Sequence, residues 1–179
     1  MHQLGHHETL MRMPKISIEC VLFVCGISSE NLGLLMRSAD IFSVSQIIYY
    51  QGNLSLDERR MNKLSRNSNV PISFVSDESI LFELKSEGYS IIALEVTDNS
   101  IPLRDFVFSD KICLVIGHEN DGICESILHK ADAACHIEMT GGRISSLNVT
   151  VAASIAIYEI VRQNLNRIYS YSDSVASTG

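Results

Sequence analysis

Continuous apolar runs of strand length alternate with amphipathic segments along most of the chain. The run from Ile112 to Ile116 has no polar alternation, which is typical of a central strand covered on both faces. Five further runs predict strands, and they are Glu19 to Ile27, Gln46 to Tyr50, Ile72 to Val75, Tyr89 to Glu95 and Ala133 to Ile137. Because helical patterns separate these runs, the sequence predicts one α/β domain with a doubly wound, mostly parallel sheet and helices on both faces.

The amphipathic segments predict five helices between and after the strands. The first begins at Ser28-Ser29-Glu30, and the second after Ser55, in a capping box with Glu58. The third begins at Asp77 and ends at Gly88, and the fourth begins near Ile123 and ends at Lys130. The last begins after Ser145 or Ser146, either of which can cap it. The predicted domain covers residues 16–167. An N-terminal tail of residues 1–15 precedes it, and a serine-rich tail of residues 168–179 follows it.

Two polar, glycine-rich loops follow predicted strands. The first is Gly117-His118-Glu119-Asn120-Asp121-Gly122, and the second contains Gly141 and Gly142. We expect the two strands to end side by side, where open α/β sheets bind ligands. The first loop lacks the glycine spacing of a phosphate-binding turn. Its acids favour a ligand with positive charge or amine donors, although an ordinary strand-to-loop turn is the simpler alternative.

Composition narrows the class of protein. The 179 residues carry a formal net charge of −7 and five cysteines without a Cys-x-x-Cys pair. Zinc and redox sites are therefore not expected, and buried thiols in a reducing cytoplasm explain the cysteines. No run approaches a membrane span and no signal-peptide pattern is present. We expect a cytoplasmic protein with neither metal nor membrane association.

A single basic cluster stands out against the acidic total charge. It consists of Arg59, Arg60, Lys63 and Arg66 in the helix predicted after Ser55. Phosphate binding requires a basic footprint, so any contact with nucleic acid has to be local, and we assign it to this cluster. A solvated, salt-bridged helix face is the alternative.

Two further groups of polar residues lie at predicted helix starts. Asn31 and Arg37 follow the first strand six residues apart, so they lie on different helix faces but can reach one cleft. A capping asparagine and a solvated arginine would explain them equally. The segment from Ser145 to Asn148 can hold a ligand or simply cap the last helix. No Gly-x-Ser-x-Gly elbow surrounds Ser146, so hydrolase chemistry has no support.

The order of these motifs resembles that of the SpoU/TrmH-type RNA ribose 2′-O-methyltransferases of the SPOUT superfamily. The match covers residues 19–163. It rests on Asn31-x-Gly33-x-x-x-Arg37-Ser-Ala39, on Leu114-Val115-Ile116-Gly117-x-Glu119-x-x-Gly122, and on Ile137-x-Met139 followed by Ser145-Ser146-Leu147-Asn148-Val149.

The resemblance implies a C-terminal deep trefoil knot, a homodimer and S-adenosylmethionine as cofactor, with S-adenosylhomocysteine as product. Its catalytic set falls on Asn31, Arg37, Glu119, Ser146 and Asn148. Its cofactor contacts fall on Leu94, Glu95, Gly117, Ile137, Met139, Ser146 and Leu147. In that scheme Asn31 holds Arg37, and Glu119 orients Arg37. In one arrangement this contact crosses the dimer, and the arginine of one subunit serves the cofactor of the other.

The resemblance implies an RNA substrate, for which a small single-domain enzyme favours transfer RNA over ribosomal RNA. A non-catalytic RNA-binding member of the fold is the alternative, although it would lack motif residues that are present here. Three positions depart from the family pattern. Ser43 replaces the usual glycine, Glu138 replaces a common proline, and the loop over residues 140–145 is one residue longer.

Overall fold

A parallel seven-stranded sheet forms the centre of the computed structural model, which describes residues 18–51, 56–143 and 146–176, with side chains up to residue 169. The strands are β1 (Glu19–Cys25), β2 (Gln46–Tyr50), β3 (Ile72–Val75), β4 (Ser90–Leu94), β5 (Ile101–Pro102), β6 (Lys111–Ile116) and β7 (Ala133–His136). The helices are α1 (Ser29–Ile41), α2 (Glu58–Ser65), α3 (Ile80–Ser86), α4 (Glu125–Leu128) and α5 (Val149–Ala176).

The strand order is β3-β2-β1-β6-β4-β7-β5, and all six pairings of neighbouring strands are parallel. The predicted mostly parallel α/β sheet is therefore confirmed. In the register, Leu22 of β1 lies between Ile47 of β2 and Leu114 of β6. The two-residue strand β5 was not predicted, because a pair of residues carries no periodicity.

One prediction about the sheet is wrong. β6 and β7 do not end side by side, because β4 lies between them and pairs with both. The chain leaves β4, reaches the edge at β5, returns to the centre at β6, and then inserts β7 between β4 and β5. Hydrophobic patterns identify strands but do not order them, so only the tertiary structure supplies this arrangement.

Two apolar cores cover the two faces of the sheet. Along β1, Leu22 and Val24 point into a core shared with α1, α2 and α5, whereas Val21 and Phe23 point into a core shared with α3 and α4. Both neighbouring positions are thus buried, which explains why the run has no polar alternation. Burying each such side chain stabilises the fold by about 1.5–3 kcal/mol.

Helices α1 and α2 approach each other closely at Gly33. A Cβ atom at this position would lie 2.6 Å from the carbonyl oxygen of Met61 and 2.9 Å from the Cβ of Leu64. Gly33 therefore admits the backbone of α2, since any larger residue would push the two helices apart.

Helix boundaries differ from the predicted ones in three places. The side chain of Asp57 caps α2 by accepting from the amides of Arg59 and Arg60 at 3.0 and 3.2 Å; the predicted cap, Ser55, lies outside the described residues. The carboxylate of Asp77 accepts from the amide of Ser79 in the turn before α3. Ser79 is the N-cap of the helix, so Asp77 does not cap it. The backbone of α5 continues to Ala176, so most of the segment assigned to a C-terminal tail is helical.

Buried thiols are confirmed for four of the five cysteines. Cys20, Cys25, Cys113 and Cys135 are buried and free, whereas Cys124 is exposed. Burial raises the pKa of Cys20 and of Cys135 to about 12, because a thiolate is poorly solvated in an apolar core. These thiols are therefore unreactive at neutral pH.

Candidate functional site

The loops that carry the predicted site residues lie at one edge of the sheet. Because all strands are parallel, the loops after β1, β4, β6 and β7 leave from the same edge. β1 lies where the strand order changes direction, with β2 on one side and β6 on the other. This is the position at which open α/β sheets form ligand-binding crevices.

The loop after β6 folds back on itself through its two glycines. The amide of His118 donates to the carbonyl of Gly122 at 2.9 Å, and the amide of Gly122 donates to the carbonyl of His118 at 3.0 Å. A Cβ atom on Gly117 would lie 2.5 Å from the carbonyl carbon of Gly122 and 2.8 Å from the amide nitrogen of Ile123. Gly117 is therefore required for packing within the loop, and it does not line the pocket described below.

Glu119 in this loop binds the start of α1. Its Oε1 accepts from the backbone amide of Ser28 at 3.1 Å and from the side-chain amide of Asn31. Partial burial favours the neutral acid, but these hydrogen bonds and the nearby His118 outweigh it and hold the pKa of Glu119 below its ordinary value. Glu119 is thus an ionised acceptor at neutral pH.

Asn31 connects Glu119 to the start of α5. Its Oδ1 accepts from Nδ2 of Asn148 at 3.0 Å, and its backbone carbonyl accepts from Oγ1 of Thr150 at 3.1 Å. Within the described chain the Asn31 side chain therefore contacts Glu119 and Asn148, and not Arg37 as expected. Residues of three motifs, separated by up to 117 residues, therefore meet at this side chain.

Asn148 caps α5 as well as bridging to Asn31. Its Oδ1 accepts from the amides of Thr150 and Val151 at 3.0 and 3.3 Å. The prediction that a serine caps this helix is wrong for Ser146, and Ser145 lies outside the described residues. An amide side chain can donate and accept at once, so Asn148 can cap the helix and donate to Asn31 at the same time.

Arg37 lies half-buried in α1, nearly two turns after Asn31. Among the described residues its guanidinium has no ion pair or hydrogen bond, and Glu119 does not contact it within the chain. A guanidinium stays protonated at any physiological pH, so the positive charge of Arg37 is available to an anionic ligand.

A pocket opens where β4 and β7 end beside the start of α5. Its empty volume is about 570 Å³, part of it open to solvent, which falls in the size range of sites for small molecules. Six of the seven side chains assigned to cofactor contact line it: Leu94, Glu95, Ile137, Met139, Ser146 and Leu147. The structure thus gathers these residues around one cavity, and Gly117 is the exception.

Glu95 ties the pocket to the glycine loop. Its Oε1 accepts from the amide of Val96 at 3.0 Å and its Oε2 from the amide of Ile123 at 3.2 Å. A Cβ atom on Gly122, where φ is +66°, would lie 2.6 Å from Glu95 Oε2. Gly122 is therefore required both for its left-handed backbone and for the approach of this carboxylate.

Three further residues line the pocket and were not predicted: Val96, His136 and Ala152. Ala152 lies four residues after Asn148, so helical spacing from that residue would have found it. His136 is the polar residue in the otherwise apolar run of β7, a signal present in the sequence. Val96 carries no signal of its own, because it only follows Glu95 in a loop.

The basic cluster lies away from this pocket and is partly neutralised. Arg60 pairs with Glu30 at 2.5 Å and with Asp57 at 3.7 Å. Arg59 and Lys63 are exposed on α2, one turn apart. Arg66 follows the helix in a left-handed conformation with φ of 50°, so the prediction that this helix contains Arg66 is wrong.

The described residues contain neither a metal-ion site nor a membrane span. No group of three or more His, Cys, Asp or Glu side chains in them could hold a metal ion. None of the helices there is long and apolar enough to cross a membrane.

Comparison with known proteins supplies independent information. The model of the SpoU rRNA Methylase family matches residues 20–158. The tRNA (guanosine(18)-2′-O)-methyltransferase TARBP1 of Mus musculus is 31% identical over 141 residues, which are 75% of this chain and 9% of the mouse protein. The tRNA (guanosine(18)-2′-O)-methyltransferase of Escherichia coli K12 is 29% identical over 141 residues, which are 76% of this chain and 60% of that protein.

Among solved structures, the SpoU methyltransferase AviRb from Streptomyces viridochromogenes, in complex with the cofactor AdoMet, superimposes with a TM-score of 0.73. It is 26% identical and covers 87% of this chain and 62% of its own. This chain thus spans less than two thirds of the length of each of these three relatives.

Proposed function

Because this chain belongs to the SpoU rRNA Methylase family, we propose that it transfers a methyl group from S-adenosylmethionine to a ribose 2′-hydroxyl of RNA. One observation carries the proposal. Ser146 and Leu147 line the pocket, and the next residue, Asn148, joins the Asn31–Glu119 network. A cofactor in the pocket would therefore adjoin the polar residues of the first two motifs.

The pocket fits this cofactor in size and chemistry. Apolar side chains make up most of its lining, which suits an adenine ring. The glycine loop beside it carries Glu119 and Asp121, whose negative charges favour a sulfonium cation and disfavour a nucleotide phosphate. When bound, S-adenosylmethionine supplies the electrophilic methyl group.

Arg37 is the residue that we assign to the ribose and its adjacent phosphate. It carries a positive charge without a partner among the described residues, and a bidentate guanidinium suits phosphate oxygens. Because it remains protonated, we assign it to positioning and charge stabilisation rather than to proton removal. Glu119 and Asn148 hold Asn31 at the start of the same helix, which positions α1 against α5.

Substitution of Arg37 tests this assignment. We expect Arg37→Ala to reduce methyl transfer by on the order of a hundredfold or more, the usual loss for one transition-state contact, with cofactor affinity nearly unchanged. Arg37→Lys, which keeps the charge but loses the planar fork, should recover only part of the rate. Transfer of labelled methyl groups and calorimetric titration of the cofactor measure the two effects. An equal loss of cofactor affinity would show that Arg37 contacts the cofactor and that its assignment to the RNA is wrong.

We propose transfer RNA as substrate before ribosomal RNA, and the cytoplasm as the place of action. The names of the mouse and E. coli relatives support the choice of transfer RNA. Mapping 2′-O-methyl groups in total RNA from a deletion strain and its parent identifies the nucleotide. If no site is lost, and the purified protein methylates neither RNA class, a non-catalytic RNA-binding role replaces this proposal.

We further propose that the chain acts as a homodimer. The outer faces of α1 and α5 carry exposed apolar side chains, and the two helices contact each other through Ser38 and Ser154 at 2.8 Å. These exposed residues are Leu34, Ile41, Val151, Ile155 and Tyr158. Apolar surface of this extent on adjacent helices is typical of an interface.

The strand order supports a trefoil knot in the C-terminal part. β7 inserts between β4 and β5, which both precede it in the chain, and the amide of Leu103 bonds the carbonyl of His136 at 2.7 Å. We propose that α5 then passes through the segment that joins β5 to β6. Pulling the chain by its ends should give an extended length shorter than that of an unknotted chain of 179 residues.

A further inference from the structure

The segment that follows β7 forms a wall between two cavities. On one side lies the pocket described above, which Ile137 and Met139 line. On the other side lies a second cavity, with an empty volume of about 530 Å³, part of it open to solvent. Ile137 and Glu138 line this second cavity together with Arg104. The shape of the first pocket therefore depends on how residues 137–139 are held from the second cavity.

An ion pair in the second cavity holds this segment. Nε of Arg104 lies 3.1 Å from Oε2 of Glu138 and 3.4 Å from Oδ2 of Asp105. Arg104 lies two residues after the end of β5. The residue before it, Leu103, donates from its amide to the carbonyl of His136 at 2.7 Å. The backbone beside the arginine is thus fixed to the end of β7, two residues before the carboxylate that the arginine binds.

The rest of the segment has few other attachments. Ile137 packs against the apolar core. Among the described residues, the ion pair of Glu138 is the only ion pair or hydrogen bond that joins residues 137–143 to another part of the chain. Met139 is 49% exposed, and a Cβ atom on Gly141 would meet nothing within 4 Å. The polar restraint on this wall of the pocket therefore comes from one pair of side chains.

We infer that Arg104 is a positioning residue for the cofactor and that it acts through Glu138. The inference rests on the proposed use of S-adenosylmethionine. The ion pair holds the backbone between Ile137 and Met139, so that both side chains are in place before the ligand binds. Preorganisation of this kind improves affinity, because the segment does not have to be ordered during binding. Arg104 and Glu138 do not line the pocket themselves, so neither has to contact the cofactor.

The exposure of the pair sets the size of the expected effect. The side chains of Arg104 and Glu138 are 71% and 37% exposed, so water and salt screen their attraction. We expect Arg104→Ala and Glu138→Gln each to weaken binding of S-adenosylmethionine by about two- to fivefold, the effect of one exposed ion pair on an equilibrium. Calorimetric titration measures this loss, which should shrink at high salt.

Exchange of the two charges gives a sharper test. Arg104→Glu places two carboxylates side by side and should weaken binding more than Arg104→Ala does. Combining Arg104→Glu with Glu138→Arg restores an ion pair of reversed polarity, so the affinity should return to within about twofold of the wild type.

Lys111→Glu is the matched control for Arg104→Glu. It changes the net charge equally and breaks an ion pair with Glu19, in which the two charged groups lie 3.0 Å apart. Lys111 and Glu19 begin β6 and β1, at the opposite edge of the sheet from the pocket. This variant should bind the cofactor as the wild type does, and an equal loss in both variants would show that only the net charge matters.

A measurement without ligand separates positioning from direct contact. Nitrogen-15 relaxation of the wild type should show ordered amides at Glu138 and Met139, and Arg104→Ala should lower their order parameters. The amide of Ile92, in the middle of β4, should be unchanged in the same variant. Equal order at Glu138 and Met139 in both proteins would overturn the inference.

The outcomes distinguish the inference from the proposed function. If the wild type does not bind S-adenosylmethionine, the cofactor assignment fails and the inference fails with it. If the wild type binds and Arg104→Ala binds equally well, or if the exchanged pair does not recover the affinity, only the inference about Arg104 is wrong.

Discussion

At the scale of single residues, the site depends on side chains that make several hydrogen bonds at once. Asn31 donates to Glu119 and accepts from Asn148, while Asn148 also caps α5. Each bond between neutral groups contributes only about 1 kcal/mol. Together they connect the loop after β6 with the starts of two helices, so losing one member should disturb all three segments.

Glu119 gives the first prediction at this scale. Its pKa is held below its ordinary value in the folded state, so its ionised form stabilises the fold above the unfolded pKa, and this contribution is lost as the pH falls through the folded pKa. We expect Glu119→Gln to lower Tm by a few degrees at pH 7. The difference from the wild type should shrink below about pH 4, the ordinary range of a carboxyl.

Thermal unfolding between pH 3 and 8 measures this difference. Glu83→Gln, at an exposed position on α3, serves as the control. A Tm difference for Glu119→Gln that stays constant across the whole range would show that the charge of Glu119 contributes nothing to stability.

Ser43, the position at which the family resemblance leads us to expect a glycine, gives a second prediction. Its φ is +55°, because it follows α1 in a Schellman motif in which Val44 donates to Ala39 at 2.9 Å and Ser43 to Asp40 at 3.2 Å. A left-handed conformation costs a residue with a Cβ atom roughly 1 kcal/mol. We therefore expect Ser43→Gly to raise Tm by about 2–4 °C, as measured by calorimetry.

Ser43→Ala is the control for this substitution, since it removes the hydroxyl but keeps the Cβ atom and the strain. It should not raise Tm. Equal stabilisation by alanine and glycine would mean that the side-chain hydroxyl, and not the backbone conformation, is what destabilises this turn.

At the scale of elements, α2 is where an acidic chain can contact RNA. Its exposed Arg59 and Lys63 have no ion pair among the described residues, whereas Arg60 is paired with Glu30. Arg66 follows at the end of the helix. A local basic surface of this kind can bind phosphates even though the total charge is −7, because screening limits the repulsion from distant acids.

Charge reversal on this element tests its role. We expect Lys63→Glu with Arg66→Glu to weaken RNA binding and to reduce the salt slope by about 0.7–0.9 per lost phosphate contact, without changing cofactor affinity. Lys85→Glu on α3 is the control, because α3 packs on the opposite face of the sheet. Affinity and slope that both remain at wild-type values would show that α2 is only a solvated surface.

At the scale of the whole molecule, the apolar face formed by α1 and α5 predicts the oligomeric state. Ile155 and Tyr158 are 39% and 56% exposed, and the ring of Tyr158 contacts that of Phe42 just past the end of α1. We expect a dimer at micromolar concentration by light scattering, and a monomer for Ile155→Glu. Val107→Glu, at a position that is 81% exposed, should remain dimeric. A wild-type monomer under these conditions would contradict the proposed homodimer.

The sequence by itself determined the elements and the chemical types at the site. Strand runs such as Ile112 to Ile116 are buried on both faces, and their lack of alternation shows this directly. Gly33 and Gly122, which belong to the motifs found in the sequence, are both positions of close approach in the structure. Local patterns of this kind can be interpreted from the sequence because they depend only on a residue and its immediate neighbours.

The tertiary structure alone decided which of these residues meet. The placement of β4 between β6 and β7, and the contact of Asn31 with Asn148 across 117 residues, depend on the path of the whole chain. The cap of α5 is likewise Asn148 and not Ser146, and the same side chain donates to Asn31. Pairing and strand order are set by packing between distant segments, whose free energy no local pattern records.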